Sequence, residues 1–397
     1  MMLIKIISSF LYIVLDILLS FLSYLIPKKQ GLIVFTSHYG EKYKNNSKYL
    51  FEYLNSNLDL ENKLNEGNFL FIWATRSKEV YKSLLERNLK CSYTYSLKHI
   101  YYILRSESFV IDNSLKGIFF TNVFSFLGRF NVIQLWHGTG FKKIVHQDKK
   151  VNFIKKVYYF MRSSTINKVI ASSECDKSKK QAAFINDNVI ITGNPHDDIF
   201  FEKTLVKTNY GKKLNFKSYN KIILYAPTFR DNNFIEPFSS SFYQRLSSFL
   251  DRKNYFFLIK KHPYDDNFKV PNNYENIVDI TPFISDVHDL LIDIDLLISD
   301  YSSLITSFIF TNKPILFYIY DYKNYVKNSR EFYYDNLLDL LPGPLINNED
   351  KLIHHIENES WFYSESNMKK YNSFKNKFHK FQNGGFSKRV FINVLNN

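Results

Sequence analysis

The chain has 397 residues, 45% of them apolar, and a formal net charge of +14 at neutral pH. That length exceeds one typical core and predicts two domains of similar size, while the charge fits an anionic partner: a phosphorylated substrate, nucleic acid or the cytoplasmic face of a membrane. Cys91 and Cys175 are the only cysteines, and without a CxxC pattern or a Cys/His cluster they exclude a disulfide scaffold and a structural zinc site and suit a reducing cytoplasm.

The first segment, Met1 to Ile26, is almost continuously apolar. Its polar residues, Lys5, Ser8, Ser9, Asp16, Ser20 and Ser23, recur with Tyr12 every three or four positions, along one face of a helix ended by Pro27. Such a narrow polar stripe predicts an amphipathic helix, within residues 1–29, lying in the membrane interface as a peripheral anchor on the cytoplasmic side. A single spanning helix is the alternative, opposed by Asp16 near the centre at roughly 2.5–3.5 kcal/mol; the other is a helix packed on the protein's own core. No small-x-small cleavage site follows, which argues against a signal peptide. Lys28 and Lys29 are expected to face anionic headgroups.

From Gly31 onward, short apolar runs alternate with longer amphipathic segments, the pattern of βα units and parallel sheets. The strands expected in a first series are 32–35, 69–73, 109–111, 132–135, 168–171 and 189–191; a second series comprises 222–225, 255–259, 296–298 and 315–318. Between them the polar stretch from Glu202 to Asn220 reads as the junction, giving domains at 30–205 and 206–397.

Ligands of parallel sheets bind beyond the carboxyl ends of strands, and the residues that follow these strands are unusually polar. They are Thr36-Ser-His-Tyr-Gly40, Asp112-Asn-Ser114, Trp136-His-Gly-Thr-Gly140, Thr192-Gly-Asn-Pro-His-Asp-Asp198, Ala226-Pro-Thr-Phe-Arg230, Lys260-Lys-His-Pro263 and Ser299-Asp-Tyr-Ser-Ser303. A cleft between the two domains accounts for both sets of loops. His137, in a glycine-flanked loop, suits a base for an attacking hydroxyl or a histidine bonded to its own turn. His262 follows Lys260 and Lys261 in a cationic corner fit for a diphosphate, or for a plain basic strand end. Arg230 has the fork geometry for phosphate, and pairing with Asp231 explains it equally. Asp300, Ser302 and Ser303 can cap the helix that begins at Leu304, where backbone N–H groups and hydroxyls would meet a phosphate; an ordinary capped turn uses the same residues. No GxxxxGK[ST] or HExxH pattern occurs, and no metal-ligand cluster is evident.

Taken in order, Trp136-His-Gly-Thr139 with Lys142-Lys-Ile144, Gly193-Asn-Pro-His-Asp-Asp198, Ala226-Pro-Thr-Phe-Arg230, Lys261-His-Pro263, Ser299-Asp-Tyr-Ser-Ser303 and Pro342-Gly-Pro344 resemble the CDP-glycerol glycerophosphotransferase family, which includes teichoic acid primases and polymerases. The similarity runs from about Thr36 to Val390. It implies an α/β fold of GT-B type, with an N-terminal Rossmann-like acceptor domain, a C-terminal Rossmann-like CDP-donor domain and a closing C-terminal helix. It also implies the reaction: a hydroxyl on a lipid-linked glycan or polyol-phosphate acceptor attacks the β-phosphate of CDP-glycerol and CMP is released, in teichoic-acid-like or capsular polymer synthesis. CDP-glycerol is a co-substrate and no cofactor is implied. His137 then matches the base and His262 a second essential histidine; Ser302 and Ser303 match the hydroxyl pair at the diphosphate. Thr228, Arg230, Gly193 and Asn194 line the nucleotide side. Trp136, Gly138, Thr139, Gly140, Lys260 and Lys261 complete the substrate contacts.

The chain departs from the family pattern at Gly140, where proline is common, at His196, where arginine is usual, and at Ser307, where an acidic residue often stands. Ser307 thereby becomes the expected determinant of which polyol is transferred. The alternatives are a nucleotide-sugar glycosyltransferase of the same fold and a non-catalytic membrane-associated binding protein. Nucleic acid is not an expected partner, since the positive charge is spread along the chain and no recognised module appears.

Overall fold

A computed structural model describes residues 2–57, 69–121, 125–202, 210–230, 235–262, 265, 267–328 and 331–395. Two compact units result: residues 1–137, 144–205 and 383–397 form the first, and 138–143 with 206–382 the second. Part of the expected junction, 203–209, lies outside the described residues.

The first unit holds a parallel sheet of seven strands: β1 (Lys29–Thr36), β2 (Leu70–Thr75), β3 (Cys91–Tyr93), β4 (Ser106–Ile111), β5 (Asn131–Gln134), β6 (Lys168–Ala171) and β7 (Val189–Ile191), ordered β3-β2-β1-β4-β5-β6-β7. The apolar run of β1 explains its central place. Leu32 and Val34 enter one buried cluster and Ile33 and Phe35 another, so alternate residues feed cores on both faces. The second unit repeats the design with six strands: β8 (Lys221–Tyr225), β9 (Tyr255–Ile259), β10 (Ile277–Asp279), β11 (Leu296–Ser299), β12 (Ile315–Tyr318) and β13 (Leu345–Ile346), ordered β10-β9-β8-β11-β12-β13 and again parallel. In both sheets the order reverses beside the first strand, between β1 and β4 and between β8 and β11. Strand-end loops diverge there and leave room for a ligand.

The end of the chain belongs to the first unit, not to the second as the 206–397 expectation had it. Phe391, Val394 and Leu395 are packed among Phe35, Phe51 and Trp73. Asp198 fixes this return, accepting hydrogen bonds from the Phe386 and Ser387 backbone N–H groups at 2.8 and 2.7 Å. Burial pushes its carboxyl up to about 6 despite those bonds.

The N-terminal helix, Met2–Leu25, corrects the expected use of its polar stripe. Asp16 is fully buried and accepts from the backbone N–H of Phe120 at 3.0 Å and from both the N–H and the hydroxyl of Thr121 at 2.7 and 2.6 Å. Ser20 and Ser23 are buried as well, with Ser23 Oγ accepting from Arg129 N–H at 2.8 Å. Asp16, Ser20 and Ser23, with the buried Leu19 beside them, form the seam that docks this part of the helix on its own unit, because a short acceptor side chain satisfies loop N–H groups there that no strand reaches; the side chains of Lys5, Ser8 and Ser9 lie outside the described residues. Phe10, Leu11, Leu18, Phe21 and Leu25 are left facing outward. Among the described residues no helix is long and apolar enough to cross a membrane. Lys28 likewise turns inward: its ammonium donates to Leu104 O at 3.0 Å over the Phe130 ring, and burial lowers it to about 8. Lys29 remains exposed.

His99 offers a test of this core. It is fully buried, its Nε2–H donating to Ile118 O at 2.7 Å and its Nδ1 accepting from Ser92 Oγ at 2.8 Å, and burial lowers its imidazole to about 4. The unfolded chain takes up this proton below about pH 6.5 and the folded chain only near pH 4, so stability falls as pH drops through that window, by up to about 3 kcal/mol. Thermal unfolding of His99→Gln between pH 7 and about 4 should show a flatter pH dependence than the parent chain; identical slopes would remove His99 as the cause.

Candidate active site

The second unit's switch point is organised by one guanidinium. Arg230, 5% exposed, follows β8 and grips Asp321, beyond β12, through Nε and Nη2 at 2.7 and 2.8 Å. Its Nη1 reaches Asp300, beyond β11, at 2.7 Å and also donates to Thr228 O. Asp300 in turn accepts from the backbone N–H of Thr228 at 2.9 Å and of Tyr301 at 2.5 Å. Two carboxylates hold the Arg230 guanidinium well above its usual range against the cost of burial. The expectation of a phosphate fork therefore gives way to a tie among three strand-end loops, and Asp300 is part of that tie, not a helix cap.

Secured in this way, the loops present hydroxyls. Ser302 Oγ accepts from Leu304 N–H at 3.2 Å, which leaves its own O–H to donate. Ser303, half-buried, makes no side-chain cap to the helix Leu304–Phe308. Thr228 Oγ1 is buried without a hydrogen-bond partner. Ser307 lies one turn further on, 2% exposed.

The glycine-rich loop after β5 joins this cluster from the other side of the chain. Residues 138–143 belong to the second unit. Thr306 Oγ1 donates to Thr139 O at 3.1 Å, and a Cβ built on Gly140 would stand 3.9 Å from that of Ser303, in ordinary contact. Phe141 O and Lys143 N–H bond the backbone of Tyr333 and Glu331 at 2.8 Å each, and the Lys143 ammonium pairs with Glu331 at 2.7 Å. Gly138, at φ 122°, makes the turn.

His137 itself ends the first unit's stretch of this loop, half-buried, with its ring 4.2 Å from that of Trp136. Trp136 adopts a left-handed φ of 59° and packs edge-on against Phe184. Asn46, invisible as a site residue in the sequence, explains how this conformation is held. Its Nδ2 donates to Trp136 O at 3.0 Å while its Oδ1 accepts from His196 N–H at 3.1 Å, tying the β5 loop to the turn after β7. In that turn Asn194 donates to Asp197 at 3.2 Å. Gly193, at φ 81°, lies so close to Phe386 that a Cβ would sit 2.2 Å from its ring. Packing thus accounts for Gly193, where a nucleotide contact was expected, and Gly193 and Asn194 both belong to the first unit.

After β9, His262 is exposed with its ring 4.9 Å from that of Phe229. Lys260 is half-buried. Lys261 is committed elsewhere, to Asp279 at 3.0 Å and Phe268 O at 2.8 Å, which makes it a strand-end brace. Pro263 and Asp231 lie outside the described residues. Asn46 and Asp321 were missed because each reads as one more polar residue near a helix start; Asp321, three residues past a strand, carried the only usable signal.

Replacing Arg230 by Ala leaves two buried carboxylates without a counter-charge, and a loss of about 3–5 kcal/mol is expected. Urea unfolding followed through the second unit measures it. A change under about 1 kcal/mol would show that the tie is dispensable.

A teichoic acid poly(ribitol-phosphate) polymerase of Bacillus spizizenii is 30% identical over 354 residues, 83% of this chain and 54% of that protein, so the chain spans about half the length of that relative. A teichoic acid poly(glycerol phosphate) polymerase of the same organism is 27% identical over 389 residues, 94% of this chain and 93% of the relative. The structure of the wall teichoic acid polymerase TagF superimposes with a TM-score of 0.75 at 23% identity, covering 93% of this chain and 89% of that one, and shares its fold. Residues 18–396 match the CDP-glycerol:poly(glycerophosphate) glycerophosphotransferase family, to which the chain therefore belongs.

Proposed function

We propose that the protein transfers glycerol phosphate from CDP-glycerol to a hydroxyl of a membrane-linked acceptor and releases CMP, in the synthesis of a teichoic-acid-like or capsular polymer. The observation that carries this reading is the hydroxyl cluster at the β8/β11 switch point, Thr228 Oγ1 with Ser302 and Ser303, in a chain that matches the family almost end to end. A buried hydroxyl without a partner is satisfied when a ligand oxygen arrives, and a diphosphate offers such oxygens.

In this reading the fold is of GT-B type: the first unit supplies the base and the second binds the donor. The acceptor oxygen attacks the β-phosphorus, forming a new P–O bond as the bond to the bridging oxygen breaks, and CMP leaves with that electron pair. His137 takes the hydroxyl proton, and the serine pair, Lys260 and His262 offset the charge that develops on the diphosphate. Displacement at phosphorus needs little beyond a positioned alkoxide and such stabilisation.

Attachment at the cytoplasmic face of the membrane is part of the same proposal. The outward face of the N-terminal helix carries Phe10, Leu11, Leu18, Phe21 and Leu25, 53–78% exposed, while Asp16, Ser20 and Ser23 are buried. An apolar helix face of this kind favours the headgroup–acyl boundary.

Two measurements test the proposal. CMP release from CDP-glycerol with a short lipid-linked acceptor should fall about a hundredfold to ten-thousandfold in His137→Ala; parent-level turnover would remove the assigned base, and preference for CDP-ribitol over CDP-glycerol would change the polyol. In cosedimentation with vesicles containing anionic lipid, Leu18→Glu with Phe21→Glu should leave the protein in the supernatant. Unchanged pelleting would overturn the membrane face.

A further inference from the structure

The loop after β1, residues 37–40, holds chemistry that the proposed transfer does not use. His38 and Tyr39 both adopt left-handed backbone, at φ 44° and 60°. Left-handed backbone at such residues is strained and persists where the surroundings hold it. Gly40, at φ 81°, approaches Gly117 so closely that a Cβ would stand 2.6 Å from the Gly117 Cα.

Two arginines flank this loop. Arg76 donates its backbone N–H to Gly40 O at 2.8 Å and its Nε to Tyr95 Oη at 2.8 Å, while its Nη1 is buried without a partner. Arg162, in the last turn of the helix Phe153–Ser163, has Nε and Nη2 buried and unpartnered. The ionisable groups that face it are the phenols of Tyr158, Tyr39 and Tyr159, and burial without a counter-charge pushes the guanidinium down. Among the described residues neither arginine is paired with a carboxylate. Ser37, 1% exposed, adds a third unpartnered donor, its Oγ. Elsewhere this chain pairs a buried arginine fully, as Arg230 shows, and a buried guanidinium with no anion is costly.

The geometry points to an oxyanion site in which Ser37, Arg76 and Arg162 hold a phosphate or diphosphate group of the acceptor. The inference rests on the transfer reading above. It places that group at the carboxyl end of β1, beside β4, where the strand order of the first sheet reverses. Phosphate oxygens could come from the acceptor or from a phospholipid headgroup. The buried donors favour the acceptor, because a headgroup meets what the surface exposes.

The 397-residue chain is assayed with CDP-glycerol and a soluble acceptor bearing a diphosphate on a short alkyl chain. Arg162→Gln should raise the acceptor KM by about tenfold to a hundredfold with the donor KM within about twofold, and Arg162→Lys should recover part of the loss. Inorganic pyrophosphate should bind the parent chain in calorimetry and compete with the acceptor, and Arg162→Gln and Arg76→Gln should each weaken that binding. An unchanged acceptor KM in a folded Arg162→Gln chain overturns the site. Loss of binding to phosphatidylglycerol vesicles with acceptor KM intact also overturns it, assigning the arginine to the membrane. If the parent chain releases no CMP, the transfer reading fails by itself, and pyrophosphate binding that Arg162→Gln abolishes still separates the anion site from that failure.

Discussion

The buried tie of Arg230 to Asp300 and Asp321 is the constraint on which the second unit's site depends. A parallel sheet delivers its loops to one edge but does not fix their shape, and at a switch point neighbouring loops lean apart. Here one planar cation, 4% exposed in its side chain, satisfies carboxylates from two loops and a carbonyl from its own. The planar fork engages Asp321 through two nitrogens and keeps the third for Asp300, which a lysine's single ammonium cannot do. The serine pair and Thr228 hydroxyl inherit their positions from that arrangement. The charge needed to build the site is thus kept apart from the charge needed to meet a ligand.

The N-terminal helix shows the same economy with polarity reversed from the usual surface helix. An ordinary amphipathic helix hides its apolar face and shows its polar one. This helix buries Asp16 against the loop at Phe120 and Thr121 and Ser23 against Arg129, with Ser20 and Leu19 between them, and shows phenylalanine and leucine. Full satisfaction of Asp16 by three donors makes such a polar seam viable, since an unpartnered carboxylate in that place would be far more costly than the burial gains.

Interior strands were legible because burial on both faces writes a continuous apolar run: 168–171, 255–259 and 315–318 were read at the residues observed, and the edge strand 189–191 was legible from its Val-Ile-Ile run. β3, β10 and β13 were not, being sheet-edge strands of three, three and two residues with no apolar run of their own. The polar loops were legible as a class because they follow strands, yet their division of labour was not. Arg230 and Gly193 look like ligand contacts in a linear motif, and only their three-dimensional partners, two carboxylates and the Phe386 ring, reveal them as framework. Arg162 went unnoticed for the opposite reason: what marks it is the absence of a partner, and a sequence does not display absences.

The return of the chain into the first unit has a consequence for biosynthesis. Phe391, Val394 and Leu395 fill a core whose other members, such as Phe35 and Trp73, emerge from the ribosome more than three hundred residues earlier. During elongation the nascent first unit therefore carries an uncovered aromatic face, including Phe51 and Phe71, for as long as the entire second unit is being made. Such a face is a binding site for holdase chaperones and a point of vulnerability to aggregation, relieved only when the final helical turns arrive.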